Sequence, residues 1–156
     1  MTVRPPTAAD RGAVLDALTS CRAFSELEVE VAIGMFDEGL AGDYTLLGVD
    51  AEGCLRGYAC IGRAGLTERS WYLYWICVHP AFHGRGLGQA LQGAVEALVR
   101  GSGGDKLVLE TSSRAQYGRS RRFYESAGFS VQGRLVDFYK RGEDCIIYCK
   151  ALGALP

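Results

Sequence analysis

The stretch Trp75-Ile-Cys-Val-His-Pro-Ala-Phe-His-Gly-Arg-Gly-Leu-Gly88 constrains this chain more than any other. A strand-like apolar run breaks at Pro80 and continues through glycines 84, 86 and 88 into a helix. Glycine at alternate positions lets the backbone turn tightly and approach a ligand with no Cβ in the way, and the first N–H groups of a helix have no intrahelical acceptor. With the positive end of the helix dipole behind them, those amides suit an anion, and a phosphate fits. The helix carries its own pattern: Leu87, Leu91, Ala94, Val95 and Leu98 share one face, and Gln89, Gln92, Glu96 and Arg100 share the other.

An ordinary glycine-rich loop, a nucleotide loop and a coenzyme A pyrophosphate loop are the readings open to such a segment. A P-loop needs Gly-Lys-Ser/Thr to close the motif, and the sequence contains no Gly-Lys pair. For a dinucleotide loop, Glu110 stands about two dozen residues on, near where a ribose-binding acid is expected. The glycines argue against it, because they read Gly84-x-Gly86-x-Gly88 rather than G-x-G-x-x-G and sit mid-chain. A length of 156 residues also leaves little room for a dinucleotide half plus a substrate domain.

The remaining periodicities predict a mixed fold. Thr7-Ala-Ala-Asp10 reads as a capping-box helix start, and a second helix runs from about Ser25 with Val29, Ala32, Ile33, Phe36 and Leu40. Asp43 to Val49, Leu55 to Arg63 and Ser70 to His79 are rich in aromatic and β-branched residues, with Asp50-Ala-Glu-Gly53 as a hairpin turn. After the glycine-started helix, Lys106 to Glu110 reads as a short buried strand, set parallel to the strand ending at Val78 by a right-handed crossover. A helix from Gly118 to Ala127 stops at Gly128, and two last strands span roughly Val131 to Tyr139 and Asp144 to Leu152.

Bulk properties bound the function classes. The length fits one domain over 1–156. Lys plus Arg number 17 against 18 Asp plus Glu, so no overall field draws the chain to nucleic acid or an anionic membrane. No apolar run approaches a membrane span and Met-Thr-Val-Arg-Pro-Pro lacks a signal-peptide core, which predicts a cytoplasmic protein. The six cysteines (Cys21, Cys54, Cys60, Cys77, Cys145, Cys149) form no C-x-x-C pair and read as reduced, buried thiols. A nucleophilic Cys77 is the alternative, with His79 the nearest basic partner. His79 and His83 stand four apart with Pro80 between them and no further His, so no metal is predicted.

Two segments together carry a family resemblance. His79-Pro-x-x-His83-Gly-Arg-Gly-Leu-Gly88 resembles motif A of the GNAT superfamily of N-acetyltransferases, and Phe123-Tyr-Glu-Ser-Ala-Gly-Phe129 resembles its second signature, F-Y-x-x-x-G-F. The likeness extends from Gly57-Tyr-Ala-Cys60 to Gly142-Glu-Asp-Cys-Ile-Ile-Tyr148 and covers most of the chain. It implies an α/β fold of α+β type, with a mixed, mostly antiparallel central sheet of six to seven strands, helices on both faces and a splayed parallel strand pair.

The resemblance also implies a chemistry: an acetyl group moves from acetyl-CoA, as cosubstrate, to a primary amine of a small molecule or peptide by direct attack in a ternary complex. A non-catalytic acyl-CoA-binding module is the alternative. By similarity, the amides of His83, Gly84, Arg85, Gly86, Leu87, Gly88 and Gln89 hold the pyrophosphate, and the backbone of Ile76, Cys77 and Val78 bonds the pantetheine arm. His83 stands where the family usually has Gln or Arg, and Tyr117 where many members place a pantetheine-contacting Asn. Tyr124 corresponds to the tyrosine that protonates the departing thiolate. Glu110 is the first candidate for the base, followed by Tyr72 and Tyr74, which share a strand face on the acceptor side; a water relay is the other route. Arg114, Arg119, Arg121 and Arg122 read as a solvated face or as contacts to a coenzyme A phosphate. Asp137, with Tyr139, Glu143, Asp144 and the acids near Phe24, borders the expected acceptor cleft. The oligomeric state is monomer or homodimer.

Overall fold

The computed structural model describes residues 1–153. In chain order the elements are β1 (Thr2–Arg4), α1 (Arg11–Ser20), α2 (Glu26–Ala41), β2 (Thr45–Ala51), β3 (Cys54–Arg63), β4 (Ser70–Val78), α3 (Leu87–Gly101), β5 (Lys106–Ser112), α4 (Gly118–Ser126), β6 (Ser130–Lys140) and β7 (Glu143–Ala151). The strand order is β1-β2-β3-β4-β5-β7-β6, with β4–β5 the parallel pair. This is the mixed, mostly antiparallel sheet with a parallel pair that the motifs imply. The chain divides into two compact units, one holding Met1–Gly62 with Leu73–Leu98, the other Arg63–Tyr72 with the chain from Val99 on.

In the first unit, β2 pairs antiparallel with β1 and β3, in register at Val3↔Val49 and Leu47↔Ala59. Val14, Ala17 and Leu18 of α1, Ala32 and Phe36 of α2, and Leu46, Leu55, Tyr58, Cys60 and Cys77 of the strands form one core. Phe36 meets the Tyr58 ring edge-on at 5.8 Å. The helix start predicted at Thr7 begins as a 3-10 turn over Ala8–Asp10, where the Asp10 carboxylate accepts the Thr7 N–H at 2.7 Å, and α1 follows from Arg11. Helix α2 starts where its sequence says, because Ser25 and Glu28 exchange hydrogen bonds as a capping box.

The buried stripe of α3 is rotated from the predicted one. Gln92 and Glu96 are 4% and 8% exposed and Val99 is fully buried, while Ala94 and Leu98 are only half-buried. Gln92 Nε2 donates to Glu96 Oε1 at 3.1 Å, one turn away, which offsets part of the cost of burying the two polar residues, while Gln92 Oε1 is buried with no hydrogen-bond partner among the described residues. Apolar periodicity alone is blind to such a pair.

In the second unit, β5 runs parallel to the start of β4 over Ser70↔Lys106, Trp71↔Leu107 and Tyr72↔Val108, where the pairing ends. On its other side β5 pairs antiparallel with β7, and β7 with β6. Leu107, Leu109, Phe129, Cys145, Ile146 and Tyr148 are buried there. The parallel pairing needs the close turn before β5: a Cβ on Gly104 would lie 2.6 Å from Trp71 and 2.5 Å from Val99, so only glycine fits. Strand β6 is largely exposed and loses its register with β7 between Leu135 and Lys140, where Asp137 adopts φ +53°.

Three of the predicted buried thiols are buried (Cys60, Cys77 and Cys145), Cys21 and Cys149 are half-buried, and Cys54 at the start of β3 is exposed. Cys54 departs from the prediction because it stands where the hairpin opens to solvent, beside Gly53 at φ +78°. No helix among the described residues is long and apolar enough to cross a membrane.

Candidate active site

The glycine loop is built as the sequence demands. Pro80–Phe82 forms a 3-10 turn whose cap is His79, with Nδ1 accepting the Ala81 N–H at 3.2 Å. Gly84 and Gly86 take φ values of +75° and +82°, a region that L side chains rarely adopt. A Cβ on Gly84 would meet nothing within 4 Å, and one on Gly86 would come no nearer than 3.9 Å, to Gln89 Oε1. The space beside both glycines is therefore open. The Ala90 N–H reaches back to Gly86 O at 3.0 Å as α3 winds up, so the amides of Leu87, Gly88 and Gln89 belong to the first turn, where a helix lacks internal acceptors.

His83 ties this loop to β4, its Nε2 lying 2.7 Å from the Val78 carbonyl oxygen. That carbonyl is thus engaged inside the protein, which leaves the Ile76–Val78 segment fewer main-chain groups for a ligand than its sequence suggests. His79 turns the other way, with Nε2 3.3 Å from Asp16 Oδ2. The two imidazoles serve different partners, and among the described residues no group of three or more His, Cys, Asp or Glu comes together as a metal site.

Beside the loop, two guanidinium groups, Arg56 and Arg85, lie over the Phe82 ring, each 4.7 Å from its centroid. Arg85 also donates to Glu52 at 2.9 Å. Such stacking contributes about 0.5–1 kcal/mol at exposed sites and holds positive charge beside the glycine loop. Arg56 is a functional candidate that the sequence does not single out, because only the fold of β3 brings it to Phe82.

On β4, Tyr74 is exposed and packs over Gly62, whose Cβ would lie 3.1 Å from the Tyr74 ring; Tyr44 meets the same ring at 5.2 Å. Tyr72 stands two residues earlier on the same strand face, half-buried.

Glu110, in β5, is exposed and opposes Ile147 in β7. Its charge acts on two neighbours: burial, a hydrogen bond to Cys145 and the Glu110 and Glu143 carboxylates push the Tyr139 phenol well above its usual range, and burial raises the Cys145 thiol. Glu110, Tyr139 and Cys145 thus form one local cluster. Nearby, Ser112 Oγ donates to Glu143 at 2.7 Å, and the Arg121 guanidinium donates to the Ser112 and Arg114 carbonyls at 2.6 and 2.9 Å. Arg121 therefore clamps α4 to the end of β5, while Arg119 and Arg122 stay exposed.

Tyr117 is buried at the entrance to α4. Tyr124, half-buried in that helix, is surrounded by the rings of Phe123, Phe129 and Tyr148 at 5.7–5.9 Å. Asp137 has a structural task. Its N–H donates to Asp144 Oδ1 at 2.8 Å and its own Oδ1 accepts the Gly142 N–H at 2.7 Å, closing the irregular β6–β7 hairpin.

The comparisons with known proteins agree with the fold. The family model for the acetyltransferase (GNAT) family matches residues 13–129. A protein from Desulfovibrio desulfuricans assigned to the GNAT family of acetyltransferases is similar over 97% of this chain and 99% of its own, at 37% identity and a TM-score of 0.91. The ribosomal-protein-S18-alanine N-acetyltransferase of Escherichia coli shares the fold at 21% identity and a TM-score of 0.78, over 99% of this chain and 96% of its own. A Salmonella typhimurium protein assigned as an acetyltransferase, with its cofactor acetyl-CoA bound, shares it at 21% identity and a TM-score of 0.76, over 100% and 96%. No curated protein matches the chain.

Proposed function

The chain belongs to the GNAT acetyltransferase family, and from that premise we propose that it transfers an acetyl group from acetyl-CoA to a primary amine. The observation that carries the reading is the loop of Gly84 and Gly86, both at positive φ with open space beside them, leading into the first turn of α3. The residues fit a pyrophosphate: the amides of residues 84–89 supply donors, the predicted His83 N–H being taken instead by the Pro80 carbonyl at 3.1 Å, and Arg56 and Arg85 on Phe82 supply positive charge. Acetyl-CoA supplies an acetyl group already activated as a thioester. The backbone of Ile76–Val78 orients it, and a main-chain N–H there takes the negative charge that develops on the carbonyl oxygen.

Tyr124 gives its phenolic proton to the departing thiolate. Glu110, directly or through a water, takes the proton from the amine, because only the neutral amine attacks. Tyr117 borders the pantetheine arm, and Tyr72 and Tyr74 line the acceptor side. The reading takes residues 1–156 as one acetyltransferase domain, since the borders between the two compact units fall within β3, β4 and α3 rather than in exposed linkers. Residues 154–156 lie outside the described residues.

The test is binding followed by turnover. Acetyl-CoA binding measured by calorimetry should disappear in Gly86→Glu, which forces a bulky anion into the loop at φ +82°, while circular dichroism stays native. Unchanged affinity would sink the loop assignment. Release of thiol against a library of primary amines then separates an enzyme from a module that only binds acyl-CoA.

A further inference from the structure

Two thiols from elements far apart in sequence meet inside the first unit. Cys21 follows α1 as its C-terminal cap and Cys77 lies near the end of β4, and their sulfur atoms are 3.3 Å apart. Backbone groups hold both in place: Cys21 Sγ is 3.7 Å from the Val78 carbonyl oxygen, and Cys77 Sγ is 3.6 Å from the Ala17 carbonyl oxygen. A disulfide needs the sulfurs to close to about 2.0 Å. Each sulfur turns about a single Cα–Cβ bond, and the approach is already made by the fold.

The two differ in access. Cys77 is 4% exposed, and its hydrogen bond to Cys21 together with burial keeps it in the thiol form. Cys21 is half-buried at a helix end, so it is the sulfur that a small oxidant meets first.

We propose that Cys21 and Cys77 are a redox-active pair that closes to an intramolecular disulfide on exposure to a peroxide. The Cys21 sulfur attacks a peroxide oxygen; an S–O bond forms, the O–O bond breaks, and the first water leaves with the Cys21 proton. The Cys77 sulfur then attacks the Cys21 sulfur; the S–S bond forms, the S–O bond breaks, and the departing hydroxide takes the Cys77 proton as the second water. Two thiols lose two electrons in all, and one hydrogen peroxide becomes two waters; a small dithiol reverses the change.

The bond would pin the segment that follows α1 onto β4. That segment already packs there through Phe24, whose ring meets Trp75 edge-on at 5.6 Å, and Arg22 within it sits at φ +41°. The pair uses none of the side chains that the acyl-transfer reading invokes, although Cys77 lies in the Ile76–Val78 segment whose backbone that reading assigns to acetyl-CoA.

The test uses the reduced full-length protein, treated with hydrogen peroxide, quenched in denaturant and alkylated. The expected product is a monomer lighter by about 2 Da before alkylation, with two thiols fewer to alkylate. Its non-reducing peptide map contains a Cys21–Cys77 link that dithiothreitol removes. Cys21→Ser and Cys77→Ala should each abolish the link, and Cys54→Ser, at an exposed position, should leave it. If Cys77→Ala fails to fold, Cys21→Ser at the helix end decides alone. The proposal is overturned if both cysteines remain alkylated at a peroxide dose that oxidises Cys54. It is equally overturned if Cys21 passes to sulfinic acid unlinked, or if the linked peptides join other cysteines.

Discussion

Tyr124 combines a packed ring with one polar atom, which makes it separable by mutation. Its ring contacts with Phe123, Phe129 and Tyr148 survive in Tyr124→Phe, so the variant removes only the hydroxyl. A general acid contributes roughly 10²–10⁴, and a thiolate is already a tolerable leaving group, so kcat should fall about ten- to a thousandfold while calorimetric affinity for acetyl-CoA holds. A parallel loss of affinity would make the hydroxyl a binding contact instead. The same pH–rate series tests Glu110. If it takes the proton, kcat/KM rises with pH through one apparent ionisation and levels, and Glu110→Gln removes that limb or depresses the plateau, since the amide keeps the shape but cannot accept a proton. An unmoved profile would leave Glu110 to its neighbours Tyr139 and Cys145.

Elements carry their own signals where those signals are local. Helix α2 is the clearest case: Ser25 Oγ accepts the Glu28 N–H at 3.2 Å, the Glu28 carboxylate accepts the Ser25 N–H at 2.6 Å, and Gly42 ends the helix at φ +106°. Ser25→Ala should cost about 1 kcal/mol, read as a lower urea midpoint at an unchanged m-value. The same local logic made the Glu52-Gly53 turn, the Gly84–Gly88 loop and the Gly128 stop legible in the sequence, since each depends on one residue's backbone freedom. What stayed hidden depends on a partner. Gln92 and Glu96 are buried on α3 with a hydrogen bond between them, and Asp137 closes a hairpin because Asp144 and Gly142 face it. Arg56 reaches Phe82, and Cys21 reaches Cys77, across segments that no short-range pattern connects. The loop half of the candidate site was therefore readable residue by residue, whereas the surroundings of Glu110 and Tyr124 required the fold.

At the scale of the molecule, charge is balanced, with a net of −1, so the pH dependence of stability falls to particular groups rather than to overall repulsion. Arg4 holds Asp10 at 2.8 Å and Asp50 at 2.6 Å, linking β1 and β2 to the turn before α1, and it keeps the Asp10 carboxyl well below the usual carboxylate range. The Asp137 N–H and Arg134 lower Asp144, and Arg11 lowers Asp37. Groups depressed in this way add stability that is complete above their unfolded pKa of about 4 and is lost as pH falls through the folded values. Burial acts in the opposite sense on neutral acids: it pushes Cys60 up to about 12, and with the Glu125 hydrogen bond it pushes Tyr148 up to about 12. Their contribution is complete below unfolded values of about 8.5 and 10 and is lost as pH rises from there. Urea midpoints should therefore be level between about pH 5 and 8 and fall on both sides. They should also trace one cooperative transition if residues 1–156 fold as one domain. Asp10→Asn should lower the level stretch and flatten the acid limb, because the amide has no proton to gain and leaves Arg4 with Asp50 alone. An acid limb of the same steepness in Asp10→Asn would place the acid sensitivity elsewhere, with Asp37 and Asp144 the next carboxylates to replace.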